Sequence, residues 1–293
     1  MNTFDNGIVT LYHADARQLP IPDNSVDCVV TSPPYWGLRD YGLDEQGLGL
    51  EPTPEEYCAN MVEVFREVWR VLKPTGTVWM NLGDIYSDKQ LIGIPWRVAF
   101  ALQADGWYLR SDIIWSKPNP MPESVSDRPT KAHEYVFLLT KSPRYYYDAD
   151  AIREPQSPHT LEAFKNGIIP RGPKSLNNPA DIKAGVTKQA MTENREWQAV
   201  LPNGRNKRSV WEIANHPYPE AHFATFPEKL VEPCIMAGCP QDGVVLDPFA
   251  GSGTTLAVAQ RLGRKSIGTD LSEEYLRLAS KRLGSIAMPM ILA

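Results

Sequence analysis

The sequence has little cysteine and no long hydrophobic segment, and each shortage excludes a class of protein. Four cysteines among 293 residues, without a C-x-x-C pair, argue against a disulfide framework or a zinc site and favour reduced thiols. No run of eighteen apolar residues is present, so we expect no membrane span. The first residues lack a basic stretch followed by an apolar one, so we expect no secretory signal and a cytoplasmic protein.

Histidine and basic charge are also limited. The five histidines lack metal-ligand spacing, so we expect no metal site. The net charge is −5, but residues 151–215 hold ten Lys and Arg against six Asp and Glu, which leaves −9 on the rest of the chain. A basic segment on an acidic body is compatible with a polyanion site or with a solvated loop region. Within it Arg205, Lys207 and Arg208 cluster most densely, and we favour phosphate contact for them.

Predicted strands alternate with predicted helices along most of the chain. Hydrophobic periodicity and end signals predict strands over 8–13, 26–31, 77–82, 108–115, 134–140, 244–246 and 265–269, and helices over 54–72, 95–104, 227–237, 254–262 and 273–282. A turn is predicted at Pro74-Thr75-Gly76. The alternation is typical of an α/β fold with a doubly wound, mostly parallel sheet. From about residue 145 to 215 the pattern weakens, and no element is assigned there.

Residues 27–36, Asp-Cys-Val-Val-Thr-Ser-Pro-Pro-Tyr-Trp, predict a buried strand that ends in a stiff loop. Pro33 and Pro34 lack an N–H and fix φ at about −65°. Ligands of open α/β sheets bind at the carboxyl ends of strands. The hydroxyl of Ser32 and the carbonyls beside it are acceptors at such an end, and Tyr35 adds an aromatic face. Acceptors next to an aromatic face suit a planar ring that carries an amino group.

The loop is followed by a glycine-rich, acidic segment. Residues 36–54 predict a mobile loop over the site. Within it Arg39, Asp40 and Tyr41 would contact DNA, close over the site, or lie in solvent as ordinary loop residues. The sequence favours none of these roles.

Residues 244–255, Val-Val-Leu-Asp-Pro-Phe-Ala-Gly-Ser-Gly-Thr-Thr, predict a strand, a glycine turn and a helix start. Gly251 and Gly253 permit a tight turn and close approach of a ligand to the backbone. Asp270 ends the next predicted strand, 17 residues after Gly253. A carboxylate there suits the two hydroxyls of a ribose. A nicotinamide site and a purely structural corner have the same outline, so the turn alone does not decide.

Two residues around the turn disfavour a dinucleotide. Leu256 occupies the position of the third fingerprint glycine, which leaves no room for a pyrophosphate at the helix start. Asp247, just before the turn, would repel a pyrophosphate and attract a cationic amino group. A ribose-bearing cofactor with a positive end and no phosphate fits better. S-Adenosylmethionine has these features.

With both segments in view, the sequence resembles the amino-methylating DNA methyltransferases. In that family a (Asp/Asn/Ser)-Pro-Pro-(Tyr/Phe/Trp) loop holds the target amino group and a Phe-x-Gly-x-Gly turn holds the cofactor. Here the catalytic loop, which is of the TSPPY type, precedes the cofactor turn. This order is similar to that of the β group, in which the target-recognition region lies between the two motifs. The resemblance implies a Rossmann-like S-adenosylmethionine-dependent fold. It also implies a catalytic half over 1–145, an inserted target-recognition region over 146–215 and a cofactor-binding half over 216–293.

The resemblance also implies roles for single residues. Ser32, Pro33, Pro34 and Tyr35 form the catalytic loop. Asp247 approaches the methionine amino group of the cofactor, Asp270 takes the ribose, and Asp15 faces the adenine amino group. The other implied cofactor-binding residues are Phe226, Pro227, Phe249, Gly251, Gly253 and Thr254.

The implied reaction is methyl transfer from S-adenosylmethionine to a base flipped out of double-stranded DNA, in a prokaryotic or phage restriction-modification system. Ser32 replaces the acidic residue typical of adenine methylation, which resembles the cytosine-N4 branch; adenine-N6 is the alternative. A nicotinamide-dependent oxidoreductase and a protein or RNA amide methyltransferase are more distant alternatives. A homodimer and a cognate restriction endonuclease are compatible with the resemblance, and the sequence decides neither.

Overall fold

The computed structural model describes residues 2–38, 47–159, 162, 204–215 and 226–286. The predictions for residues 39–41 lie outside the described residues, as does most of the predicted target-recognition region over 146–215. The chain divides into two compact units, Ala149–Lys207 and Met1–Asp148 with Arg208–Ala293. In the smaller unit a 3-10 turn covers Asp150–Ile152, and Glu154 and Arg205 exchange backbone hydrogen bonds of 2.9 and 2.8 Å.

The larger unit carries a mixed sheet. Its strands are β1 (Asn2–Asp5), β2 (Val9–His13), β3 (Val26–Thr31), β4 (Leu72–Leu82), β7 (Tyr108–Ser116), β8 (His133–Thr140), β9 (Val210–Glu212), β10 (Val244–Asp247) and β11 (Lys265–Asp270), and a small hairpin holds β5 (Tyr86–Ser87) and β6 (Gln90–Leu91). The strand order is β1-β2-β11-β10-β3-β4-β8-β7-β9. The five strands from β2 to β4 in this order are parallel, and β1 and β8 run antiparallel to their neighbours. The predicted α/β fold with a doubly wound, mostly parallel sheet is confirmed.

The turn predicted at Pro74-Thr75-Gly76 is wrong. Strand β4 already begins at Leu72, which pairs with Val26, and the next pair joins Thr77 to Cys28. Residues 73–76 are therefore an insertion into the strand, because Pro74 has no N–H to offer the ladder and a bulge accommodates it.

The helices agree with the predicted ones to within two residues. They are α1 (Pro54–Val71), α2 (Ile94–Ala104), α3 (Glu228–Gly238), α4 (Thr254–Arg261) and α5 (Glu273–Gly284). Helix α1 begins as its sequence predicts: Thr53 Oγ1 accepts from Glu56 N at 3.2 Å, and Pro54 occupies the first turn. In the described parts of the chain, no helix has the length and apolar character needed to cross a membrane.

Helices cover both faces of the sheet. On one face, α1 and α2 bury Met61, Phe65 and Val98 against Met80 and Leu82 of β4. On the other face α3 approaches β4 through Gly238, and α4 and α5 pack on β2 around Leu256, Ala257 and Leu283. Open α/β sheets bind ligands at the carboxyl ends of their parallel strands, so a site is expected at that edge.

Two edge strands and the hairpin were not predicted. Strand β1 pairs antiparallel with β2, and β9 pairs parallel with β7 through Val210, Trp211 and Glu212. These elements are four residues or fewer, too short to show a hydrophobic period. Their conformation is decided by the neighbouring strand rather than by their own sequence.

Gly238→Ala is expected to destabilise the fold by about 1–3 kcal/mol. A Cβ at this position would lie 2.4 Å from Thr77 Oγ1 and 2.5 Å from Trp79 Nε1, both in buried side chains. Chemical denaturation measures the change. Gly284→Ala is the matched control, because its Cβ meets nothing within 4 Å and alanine favours the helix. A Gly238→Ala protein as stable as wild type would contradict the packing described for α3.

Candidate active site

The catalytic loop and the glycine turn meet at the point where the chain changes direction across the sheet. Strands β3 and β10 are neighbours, and their helical connections lead away to opposite sides, to β4 and to β11. Such a switch point is where open α/β sheets bind ligands. Thr31 at the end of β3 donates from Oγ1 to Asp247 Oδ1 at the end of β10, at 2.7 Å. Ser32 and Asp247 therefore lie at the same edge of adjacent strands.

The catalytic loop is held rigid by α1 and by the segment that precedes it. Pro33 is buried, and the carbonyl of Pro34 accepts from Tyr57 Oη at 2.8 Å. Trp36 donates from its indole nitrogen to Glu51 O at 2.9 Å and packs against the core. The two prolines and these anchors leave the loop little freedom to move.

Polar side chains from three other segments converge on the loop. Tyr35 Oη donates to Glu134 Oε2 at 2.7 Å and lies 3.3 Å from Ser32 Oγ. The Asn81 amide nitrogen lies 2.6 Å from Tyr35 Oη, 2.9 Å from Glu134 Oε2 and 3.4 Å from Ser32 Oγ. Lys117 binds the other oxygen of Glu134. Burial and the charge of Glu134 raise the pKa of Tyr35 well above its usual range, so the phenol keeps its proton.

Three members of this network had no role assigned from the sequence. Asn81 is the second-last residue of β4, Glu134 is the second residue of the antiparallel strand β8, and Lys117 directly follows β7. The strand-end rule that led to Ser32 applies equally to Asn81, since β4 is the parallel neighbour of β3. The place of Glu134 in the network depends on the antiparallel pairing of β8 with β4, which hydrophobic periodicity in the sequence does not reveal. Asp84 is not part of the network: its carboxylate caps α2 through Gly93 N and Ile94 N at 2.9 and 3.0 Å.

The ring of Tyr35 is packed closely against backbone. A Cβ on Gly83 would lie 2.5 Å from Tyr35 Cε2 and 2.9 Å from Tyr35 Cδ2, so this side of the ring rests on the glycine. With the hydroxyl bound to Glu134, the ring orientation is fixed from two directions. Any larger residue at Gly83 would displace it.

The glycine turn has the predicted shape. Gly251 and Gly253 have φ of +49° and +79°, which L side chains rarely adopt. A Cβ on Gly251 would meet only Phe249 O, at 4.0 Å, so a ligand can approach the backbone there. Gly253 instead serves packing, because its Cβ would lie 3.2 Å from Ala279 Cβ of α5. Asp270 Oδ2 accepts from Gly251 N at 2.8 Å, and its Oδ1 accepts from Ser272 N at 2.8 Å.

The charged side chains at the turn fit a nucleoside that carries no phosphate and has a cationic end. Two carboxylates, Asp247 and Asp270, border the turn, and burial raises the pKa of both, that of Asp247 to about 6. A pyrophosphate would meet negative charge there. Leu256 fills the helix start and packs on β11, where a Cβ on Gly268 would lie 2.5 Å from Leu256 Cδ1. The glycine that permits close helix–strand contact is thus on the strand, not on the helix.

The remaining residues predicted to bind the cofactor come from several segments of the chain. Phe226 and Thr31 line one small cavity that also includes Asn81, and Pro227 is the buried residue before α3. Asp15 follows β2, beside the β11 strand that ends at Asp270, and both of its oxygens are bound by Arg17. Phe249 is partly buried within the turn. The hydroxyl of Thr254 accepts from Arg282 of α5 at 3.1 Å, which directs it toward that helix.

The three residues predicted to bind DNA are divided between the two units. Arg205 and Lys207 belong to the smaller unit, where both approach Glu154, at 3.3 and 3.9 Å. Arg208 begins the second segment of the larger unit and is exposed. Within the described ranges, no three His, Cys, Asp or Glu side chains come together as a metal would require.

Comparison with known proteins identifies relatives over most of the chain. Residues 26–281 match the sequence profile of a family described as DNA methylase. Type II methyltransferase M.Cfr9I of Citrobacter freundii is 42% identical over 94% of this chain and 87% of its own, and M.SmaI of Serratia marcescens is 42% identical over 88% and 84%.

Solved structures share the fold. The PvuII DNA methyltransferase (cytosine-N4-specific) superposes with a TM-score of 0.67 at 21% identity and covers 96% of this chain and 89% of its own. A putative DNA modification methylase of Thermus thermophilus, complexed with S-adenosyl-L-methionine, has a TM-score of 0.60 at 25% identity, over 94% of this chain and 92% of its own.

Proposed function

Because this chain belongs to the N6/N4 family of DNA methylases, we propose that it is a type II DNA methyltransferase that transfers a methyl group from S-adenosylmethionine to the N4 amino group of cytosine. The observation that carries the proposal is the junction of Ser32 and Asp247 at adjacent strand ends, bridged by the 2.7 Å Thr31–Asp247 hydrogen bond. Direct transfer of a methyl group requires the two sites to be neighbours, and this bond between adjacent strand ends supports that arrangement.

The cofactor is assigned to the glycine turn. Asp270 would accept from the ribose hydroxyls, Asp247 would face the cationic amino group, and the open space at Gly251 would admit the nucleoside. Phe226 would border the methionine end from the cavity it shares with Thr31. When bound, S-adenosylmethionine would supply a methyl group carried on a sulfonium sulfur. The electrons of the broken S–C bond would stay with sulfur as the new N–C bond forms, and the amine would release one proton to solvent.

The catalytic loop is assigned to the amino group. The lone pair of an exocyclic amine is delocalised into the ring, so the amine is a poor nucleophile. Acceptors on its N–H bonds favour a pyramidal nitrogen with its lone pair directed at the methyl group, and Ser32 Oγ and the Pro33 carbonyl are our candidates. Neither is a strong base, so positioning and electrostatics would supply most of the rate, with the proton lost late. Tyr35, fixed by Glu134 and Gly83, would stack on the flipped base.

Cytosine is preferred over adenine because Ser32 replaces the acidic residue that typically heads the loop in adenine methylation. The test is to incubate the protein and labelled S-adenosylmethionine with DNA, RNA or protein, and then to sequence the DNA by a method that reports modified bases. We expect label only in DNA, as N4-methylcytosine at one recurring sequence. N6-methyladenine would overturn the base assignment alone. Label in RNA or protein, or in none, would overturn the proposed reaction.

Cofactor affinity is expected to fall below about pH 6. Burial raises the pKa of Asp247 to about 6. Only its ionised form attracts a cationic amino group, so protonation as the pH falls weakens binding, approaching about tenfold per pH unit for one linked proton. Calorimetric titration from about pH 5 to pH 8 measures this dependence.

Asp247→Asn is the control for that titration. The amide keeps the size of the side chain but cannot titrate, so the dissociation constant should be larger at neutral pH and nearly independent of pH. Burial also raises the pKa of Asp270, and this variant separates the two carboxylates. An unchanged slope in Asp247→Asn would show that another group causes the dependence.

A further inference from the structure

Ser32 lies at one end of a hydrogen-bond chain that runs through Tyr35 to Glu134. The two contacts measure 3.3 Å and 2.7 Å, and Asn81 and Lys117 bind the same chain from the side. A hydroxyl can donate or accept, so distances alone do not say which way such a chain points. The partners at its far end decide this.

Glu134 and Asn81 fix the direction of the hydrogen bonds that the phenol of Tyr35 makes. Held by the Lys117 ammonium group, Glu134 acts as a carboxylate and can only accept. The Asn81 amide nitrogen can only donate, and its two hydrogens have Tyr35 Oη at 2.6 Å and Glu134 Oε2 at 2.9 Å. Tyr35 therefore donates its single proton to Glu134 and accepts a hydrogen bond from Asn81.

The direction of the Ser32–Tyr35 contact follows. Tyr35 has no second proton, so across the 3.3 Å contact Ser32 must donate and Tyr35 must accept. With its proton committed to Tyr35, the Ser32 hydroxyl has its lone pairs left for another partner. The closest competitor among the described residues is the Asn81 nitrogen at 3.4 Å, whose hydrogens are already used.

We propose that Glu134 is a positioning residue that acts through Tyr35 to make Ser32 an acceptor for the amino group that is methylated. This inference rests on the proposed function and adds the reason why the Ser32 hydroxyl accepts a hydrogen bond from the amine rather than donating one. A serine whose proton pointed at the amine would bind the lone pair that must attack the methyl group. A serine that accepts an N–H instead leaves that lone pair exposed.

The test is a double-mutant cycle with Glu134→Gln and Tyr35→Phe. Glutamine keeps the shape of Glu134, but its amide can donate to Tyr35 and thereby reverse the chain, so kcat should fall about tenfold. The dissociation constant of S-adenosylmethionine should change less than about twofold, because the glycine turn is untouched. In a Tyr35→Phe background there is no hydroxyl to reverse, so adding Glu134→Gln should lower kcat by less than about twofold.

Glu123→Gln is the matched control, since Glu123 is a carboxylate paired with Arg128 between β7 and β8 and has no contact with the catalytic loop. Its kcat should equal that of wild type. Additive losses in the cycle, or full kcat in Glu134→Gln or in Tyr35→Phe, would overturn the positioning role. If Glu134→Gln does not fold, Tyr35→Phe alone still decides. Absence of DNA methylation by wild type would overturn the proposed function, and this inference with it.

Discussion

Ser32→Ala is expected to lower kcat about 100-fold, the scale of losing one preorganised hydrogen bond from a transition state. Alanine removes the acceptor that the chain through Tyr35 and Glu134 orients, while the prolines and the Tyr57 anchor keep the loop in place. The glycine turn is not altered, so cofactor affinity should remain close to that of wild type. Single-turnover methyl transfer and calorimetric titration with S-adenosylmethionine measure the two quantities separately.

Ser25→Ala provides the control for this substitution. Ser25 lies just before β3, at the opposite end of the strand from Ser32, and its hydroxyl donates to Pro22 O at 2.7 Å. It undergoes the same chemical change far from the proposed reaction, so kcat should not change. A Ser32→Ala enzyme that keeps full turnover would contradict the assignment of this hydroxyl to the amino group.

Asp270→Ala is expected to weaken S-adenosylmethionine binding about 100-fold, which corresponds to about 2.7 kcal/mol. The variant loses the carboxylate proposed for the ribose, and hydrogen bonds to charged groups contribute about 1.5–3 kcal/mol each. It also leaves Gly251 N and Ser272 N without the acceptor they have in wild type. At saturating cofactor, kcat should recover, because the catalytic loop belongs to other strands.

Two further variants separate the ribose contact from the shape of the turn. Asp270→Asn keeps one acceptor oxygen for the backbone and should fall between wild type and alanine in affinity. Asp242→Ala removes an exposed carboxylate just before β10 and should bind cofactor like wild type. Equal dissociation constants for Asp270→Ala and wild type would remove Asp270 from the cofactor site.

The order of elements and the two functional segments were accessible from the sequence. Long periodic segments such as α1 and the apolar β3 carry their own signal, and proline or glycine marks where each ends. The poor fit of the glycine turn to a pyrophosphate was also predictable from Leu256 and Asp247. The reason why Leu256 fits at the start of α4 was not predictable, because the glycine that makes room for it, Gly268, lies on β11.

The sequence by itself determined the alternation of strands and helices, the stiffness of the Ser32 loop and the φ requirements of the glycine turn, because each depends on residues close together in the chain. Only the tertiary structure decided which strand ends are neighbours. The Thr31–Asp247 bond joins residues 216 positions apart, and Glu134 reaches Tyr35 across 99. Such contacts depend on strand order and on the antiparallel insertion of β8, which local sequence does not encode. The site proposed for both the methyl donor and its acceptor is therefore a property of the folded sheet.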